Sequence, residues 1–365
     1  HVITAANDAA KRGETKYTTI SGSNELKDIV LGKFKRENNL DYTRDEIIIG
    51  NGSKQVIYNA FAAGTDEGGE VIIPAPFYVA YIDMIKFSGG TPVIIPCGVD
   101  QDFKLKPEQL EAAITPKTQW LLLNSPNNPS GAVCNNLNDL AKIAKKYKLL
   151  ILSDEIYTDL SFDNRYHSIS TFYPESTFIS GGLSKWCGAG GWRLGFLAVP
   201  KKLNKFLSSL KSLASESYST VNTPTQFAAV EAYEGDYNNY KLKVRGILNA
   251  VGNYVYNNLK SNKILINPPQ GAFYLMPEFK NNKYKSSAKL CEAILKDTGV
   301  AMLPGSDFGF KPKKMLTRLS YTDFDGKEFF SNVTDYNSIS EEMVKRYAPN
   351  VVEGVSKLSN WAKNL

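Results

Sequence analysis

Short apolar runs recur along the first two thirds of the chain, and the stretches between them carry apolar residues at helical spacing. The runs are EIII, EVIIPAP, TPVIIP, WLLLNSP, LLILSDE, STFIS and RLGFLAVP. Their length and their Val, Ile and Leu content suit strands buried on both faces. Between them, QVIYNAFAAG, PEQLEAAI and LNDLAKIAKKY place apolar residues three and four apart, with Gly or Pro at several boundaries. They read as helices that cross from one strand to the next. This alternation predicts an α/β domain built on a largely parallel sheet.

The remainder has a different pattern. Residues 1–14 read as a helix, and a long polar helix is expected from Asp236 to about Lys260. Beyond it, ILINPPQGAFYLMPEF, a helix near residues 288–296, VAMLPGS and MLTRLSY make a second lobe of α+β character. A chain of 365 residues exceeds what one core usually serves, so two lobes are expected, at residues 1–250 and 251–365. After Asp325 only PNVVEGVSKLSNWAKNL is legible, as a closing helix, and no chemistry is assigned there. No repeat period is present, which sets solenoids aside.

Composition narrows the function classes. The net charge of +6 comes from interspersed basic and acidic residues, so nucleic-acid binding is not expected. No apolar run approaches the roughly 18 residues of a membrane span, and the first stretch does not read as a signal peptide. A soluble, cytoplasmic protein is the expectation. Cys97, Cys134, Cys187 and Cys291 lack ligand spacing, and His1 and His167 do not complete a zinc site, so no metal is expected and the thiols read as free.

Candidate chemistry begins at SGGLSKWCGAGGWRLGF. A strand-like run ends in Gly and Ser184, presents Lys185, and continues through a glycine-rich stretch to Arg193. A lysine at the mouth of a parallel sheet forms an imine with an aldehyde when its amine is partly deprotonated, and desolvation and nearby positive charge both favour that form. Arg193 offers a planar fork to a phosphate. A solvated lysine and a structural arginine fit the same residues.

In LLILSDEIYTDL, Asp154 follows a strand and Tyr157 lies three residues on. A carboxylate there suits the nitrogen of a pyridine ring and a phenol its ring oxygen, while a helix cap is the plainer alternative for Asp154. In GNGSKQVIYNAF, the amides of Gly52, Ser53 and Lys54 open a helix and suit an anion, or simply cap it. Tyr78, in PAPFYVAY, has a face for stacking or for the core. Asn128, in LLLNSPNNPSG, is an amide donor or part of a turn. Arg318, in MLTRLSY, needs an anionic partner, either a substrate α-carboxylate or an internal acid.

In this order and spacing, the motifs resemble the class I/II aminotransferases of the aspartate aminotransferase type, over about residues 1–325. The resemblance implies fold type I, a mostly parallel seven-stranded sheet flanked by helices plus a smaller α+β C-terminal domain, and pyridoxal 5'-phosphate as cofactor. It implies Lys185 as the Schiff-base lysine, Asp154 at the pyridine nitrogen, Tyr157 and Asn128 at the ring hydroxyl, and Tyr78 stacked on the ring. Gly52, Ser53, Lys54, Ser184 and Arg193 would surround the phosphate, and Arg318, with Asn128 and Tyr78, the substrate. Tyr17, in KYTTISG, matches a tyrosine that reaches the neighbouring subunit's phosphate, which implies a homodimer with shared active sites. The activity implied is ping-pong amino transfer between an L-amino acid, aspartate or another, and a 2-oxo acid such as 2-oxoglutarate.

The chain departs from the family pattern in places. Gly182 stands where many relatives have a phosphate-binding serine, Tyr78 stands where aspartate-specific members have tryptophan, and no glycine-containing arm precedes KYTTISG. Two other readings share the resemblance. A lyase or cyclopropane-carboxylate synthase would release its product without a second substrate. The sensor half of a transcription regulator would need a DNA-binding domain ahead of residue 1.

Overall fold

The strand runs of the first lobe assemble into one sheet. In this computed structural model, which describes residues 1–163, 167–200, 202–281 and 283–365, the strands are β1 (Ile47–Gly50), β2 (Glu70–Ala75), β3 (Thr91–Pro96), β4 (Thr118–Asn124), β5 (Leu150–Asp154), β6 (Thr177–Gly182) and β7 (Gly195–Ala198). Their order across the sheet is β1-β7-β6-β5-β4-β2-β3. Neighbours from β6 to β3 run parallel, whereas β7 is antiparallel to both β6 and β1. The connection from β6 to β7, residues 183–194, contains a 3-10 turn at Gly190–Trp192 and no α-helix to carry the chain back for a parallel pairing.

Strand residues alternate between two cores, as the period of two requires. Trp120 and Leu122 of β4 pack with α3 (Ser53–Gly64), following α1 (Val2–Lys11) and α2 (Asn24–Asn38) in the chain, and with α4 (Ala80–Phe87). Leu121 and Leu123 face the opposite side with Leu110 of α5 (Pro107–Ala113) and Leu140 of α6 (Leu137–Lys146). Further on, α7 (Asn204–Ser217) joins the first core through Leu207 and Leu210, and α8 (Thr223–Glu234) leads into α9 (Asn238–Leu259).

The expected long helix is α9, and residue 250 lies within it. Its Ile247, Val251 and Val255 share a core with Ile47 and Phe34 of the first lobe and with Leu290 and Leu358 of the second. That second lobe contains short strands: β8 (Ile264–Leu265) pairs with β10 (Glu278–Phe279), while β9 (Tyr274–Leu275), β11 (Leu303–Pro304) and β12 (Thr317–Ser320) form a three-stranded sheet. Helix α10 (Ser287–Thr298) is capped by the Ser286 hydroxyl and ends at Gly299, whose φ of 76° suits glycine. The segment after Asp325 holds α11 (Gly326–Asn332), α12 (Glu341–Tyr347) and α13 (Pro349–Ala362), the first two capped by Asp325 and Ser340. Among the described residues no helix is long and apolar enough to cross a membrane.

Register positions the chemistry. Gly50 of β1 and Gly182 of β6 both sit opposite Gly195 of β7, so the end of β1, the end of β6 and the start of β7 share one sheet edge. The carboxyl ends of β2, β4 and β5 reach the same edge, because these strands run parallel to β6. Open α/β sheets bind ligands at that edge.

Candidate active site

At that edge the loops enclose a cavity of about 480 Å³, lined in part by Ser53, Lys54, Tyr78, Asn128, Asp154, Tyr157, Ser184, Lys185 and Arg193. Each of these was singled out in the sequence, and loops separated by up to 140 positions, from Ser53 to Arg193, converge here. Tyr17 does not belong to this lining; it is 86% exposed on the surface of the chain.

Lys185 follows β6, and its ammonium lies 5.6 Å from the centre of the Tyr157 ring and 6.0 Å from that of Phe273. Burial holds its pKa below the ordinary lysine value; Arg193, Arg318 and Lys54 push it the same way, and Asp154 opposes them. The amine is thereby moved toward the nucleophilic form.

Asp154, at the end of β5, is buried among hydroxyls. Its Oδ2 accepts from Tyr81 at 2.6 Å, and Oδ1 accepts from Ser180 at 3.0 Å and from Ser53 and the Ile156 amide at 3.3 Å. Burial raises its pKa, against the effect of these donors. It caps no α-helix, and the short helical turn that follows begins only after Tyr157. Asn124 holds the next layer: its Nδ2 donates to the Asp154 carbonyl at 2.9 Å and its Oδ1 accepts from the Asn128 amide at 2.8 Å.

Asn127 rather than Asn128 builds the turn after β4, because its Oδ1 accepts from the Ser130 amide and hydroxyl. Asn128 is left for the cavity. Its Nδ2 donates to the Tyr157 hydroxyl at 3.5 Å, and its Oδ1 accepts from Arg318 Nη1 at 3.1 Å. The Tyr157 hydroxyl also pairs with Tyr274 at 3.2 Å, and burial pushes its pKa upward.

Arg318, on β12, lies over the rings of Tyr274 and Phe308 at 4.9 and 5.2 Å. Among the described residues it makes no ion pair with a carboxylate, so an internal acid is not what holds it.

The start of α3 forms an anion cradle. The amides of Ser53 and Lys54, in the first turn, have no acceptor within the helix. Arg193 packs beside them, its Nη1 donating to the Gly190 carbonyl at 2.6 Å and its Nη2 to that of Asn51 at 3.1 Å. Gly52 has a φ of +91°, and a Cβ there would stand 2.4 Å from Arg193 Nη2, so only glycine leaves room for the guanidinium. Orphan amides beside an arginine, a buried carboxylate and a half-buried aromatic wall at Tyr78 together fit a flat phosphorylated ring with a basic nitrogen. Among the described residues no His, Cys, Asp and Glu group could hold a metal ion.

Gly182 has a structural reason. A Cβ there would lie 2.6 Å from the Leu194 carbonyl oxygen and 3.0 Å from Gly195 Cα, both backbone atoms. Gly182→Ser is therefore expected to destabilise the fold by about 1–3 kcal/mol, measurable as a lower Tm, rather than to add a phosphate contact.

Sequence reasoning passed over Tyr81, Ser180, Asn124, Tyr274 and Phe273. None carried a clear signal: Tyr81 reads as an apolar position of α4, and the pairing of Ser180 with Asp154 appears only in the sheet register.

Comparison with known proteins agrees with this geometry. Residues 1–328 match the family described as aminotransferase class I and II. A probable aspartate/prephenate aminotransferase of Rickettsia conorii is 39% identical over 326 residues, covering 83% of this chain and 79% of its own. An aspartate aminotransferase from Rhizobium meliloti superposes with a TM-score of 0.85 at 31% identity, over 100% of this chain and 88% of that one. An aromatic aminotransferase from Pyrococcus horikoshii does so with a TM-score of 0.87 at 27% identity, over 100% and 92%. With a matching family over most of its length, a shared fold and Lys185, Asp154 and Arg193 around a single cavity, the chain belongs to the class I and II aminotransferases and is a transaminase.

Proposed function

We propose that this enzyme transfers the amino group of an acidic L-amino acid to a 2-oxo acid with pyridoxal phosphate held on Lys185. The observation that carries the reading is the convergence of Lys185, Asp154 and Arg193 on one cavity. When bound, pyridoxal phosphate supplies an aldehyde for the amino group and a protonated ring that takes up the electrons left when Cα loses its proton.

Each residue has a distinct task in this reading. Lys185 would hold the cofactor through Nζ until an incoming amine takes its place, and its freed amine would then serve as the base for the substrate Cα proton. Asp154 keeps the ring nitrogen protonated, and Tyr157 and Asn128 donate to the ring oxygen. Arg193 and the amides of Ser53 and Lys54 hold the phosphate. Arg318 takes the substrate α-carboxylate through its planar fork, as its lack of an internal acid suggests.

Charge counting favours an acidic substrate. Besides Lys185, three cations meet at the site: Arg193, Arg318 and the Lys54 side chain. Phosphate and α-carboxylate use two of them, and Lys54, 5.4 Å over the Tyr78 ring and in no ion pair among the described residues, remains for a side-chain carboxylate. The names of the aspartate and aspartate/prephenate relatives support the same class. With 2-oxoglutarate as acceptor, aspartate should exceed alanine and phenylalanine as donor. Lys54→Ala should lower kcat/KM for aspartate by about tenfold or more, with a smaller effect on an aromatic donor. Equal loss for both donors would remove Lys54 from side-chain recognition.

The exposed Tyr17 is consistent with a homodimer in which it reaches the partner's phosphate site. We also place the division between a cofactor-binding lobe and a smaller C-terminal lobe near residue 250. The free cysteines suit a cytoplasmic setting.

A further inference from the structure

Tyr81 lies in the first turn of α4 and is 1% exposed. Its hydroxyl makes the shortest contact to the Asp154 carboxylate, 2.6 Å to Oδ2, whereas Ser180, Ser53 and the Ile156 amide share Oδ1. Among the described residues Oδ2 thus has a single donor and keeps acceptor capacity for a ring N–H. The Tyr81 ring also meets Tyr78 edge-on, with centroids 5.6 Å apart and planes at 85°. One side chain therefore braces both the carboxylate and the aromatic wall of the cavity.

We propose that Tyr81 is a positioning residue that keeps Asp154 ionised and so sets the charge on the ring nitrogen of bound pyridoxal phosphate. The proposal rests on the cofactor reading given above. A buried carboxyl facing a pyridine nitrogen has two arrangements: carboxylate against N–H⁺, or neutral acid against bare nitrogen. Desolvation favours the neutral pair, and hydrogen bonds donated to the carboxylate favour the charged one. No cation donates a hydrogen bond to Asp154 among the described residues, so hydroxyls carry that load, and Tyr81 makes the closest contact. Burial and the adjacent Asp154 hold the Tyr81 pKa well above the ordinary phenol value, so it stays a donor across the working pH range.

The readout is electrostatic and needs no substrate. Losing the Tyr81 hydroxyl shifts the pair toward neutrality and removes positive charge from the ring. The nitrogen joining Lys185 to the cofactor then becomes more basic. The charged groups acting on Lys185 are Asp154, Arg193, Arg318 and Lys54, and a Tyr81→Phe substitution leaves all four in place.

The test loads wild type, Tyr81→Phe, Ser180→Ala and Tyr321→Phe with pyridoxal phosphate, then follows absorbance against pH and the cofactor Kd by fluorescence. Tyr81→Phe should raise the absorbance midpoint by about one pH unit and weaken cofactor binding about tenfold. Ser180→Ala should move the midpoint in the same direction by less. Tyr321 is an equally buried phenol whose hydroxyl donates to the Ala272 carbonyl at 3.4 Å, and its phenylalanine variant should leave the midpoint in place. An unchanged midpoint in Tyr81→Phe, or an equal shift in Tyr321→Phe, overturns the proposal while leaving the cofactor reading intact. A wild type that develops no protein-bound absorbance overturns the cofactor reading and, with it, this inference.

Discussion

Lys185→Ala is expected to abolish amino transfer, lowering kcat by about 10⁴-fold or more, while the protein still folds and binds pyridoxal phosphate noncovalently. The size follows from the two tasks that fall on one nitrogen. A positioned general base alone contributes up to about 10⁴-fold, and the covalent hold on the cofactor is lost in addition. The guanidinia of Arg193 and Arg318 stay charged and donate to backbone carbonyls and Asn128, and Lys54 lies on α3 over the Tyr78 ring rather than at the end of β6, so none of them takes the place of Lys185. The fold should tolerate the change, because the Lys185 side chain projects into the cavity and forms no ion pair among the described residues. Steady-state kinetics together with a cofactor-binding titration checks both halves, and wild-type turnover in this variant would end the proposal.

Asp154→Ala is expected to give the next largest loss, about a hundredfold to a thousandfold in kcat, as for removal of a preorganised electrostatic partner. Its stability should respond differently from that of the lysine variant. Removing the carboxylate leaves the hydroxyls of Tyr81, Ser180 and Ser53 without their common acceptor in a buried place, so Tm should fall as well. Unchanged kcat with a lowered Tm would make Asp154 a structural residue only.

The site was legible where chemistry-bearing residues directly follow an apolar strand, since a parallel sheet collects its carboxyl ends at one edge. Asp154 after Leu150–Ser153 and Lys185 after Thr177–Gly182 are such cases. Residues that act from beneath the cavity were not legible. Tyr81 reads as an apolar position of a helix, and only the fold shows its hydroxyl on Asp154.

Helices packed on several sides were equally hard to read. In α8, Thr225, Gln226, Ala228, Ala229, Val230, Ala232 and Tyr233 are all buried, which erases the polar face that periodicity needs. In α2, Lys27 and Lys33 lie on the buried side, Lys33 because Glu37 and Asp159 pair with it. Four of the five strands of the second lobe are two residues long, too short for alternation to register.

The most direct test of the central claim is chemical trapping. Protein loaded with pyridoxal phosphate is reduced with borohydride, digested, and its peptides mapped by mass spectrometry. A single stable pyridoxyl adduct on Lys185, absent when a saturating amino acid has first displaced the lysine, is the predicted result. An adduct on another lysine, or none at all, would contradict it.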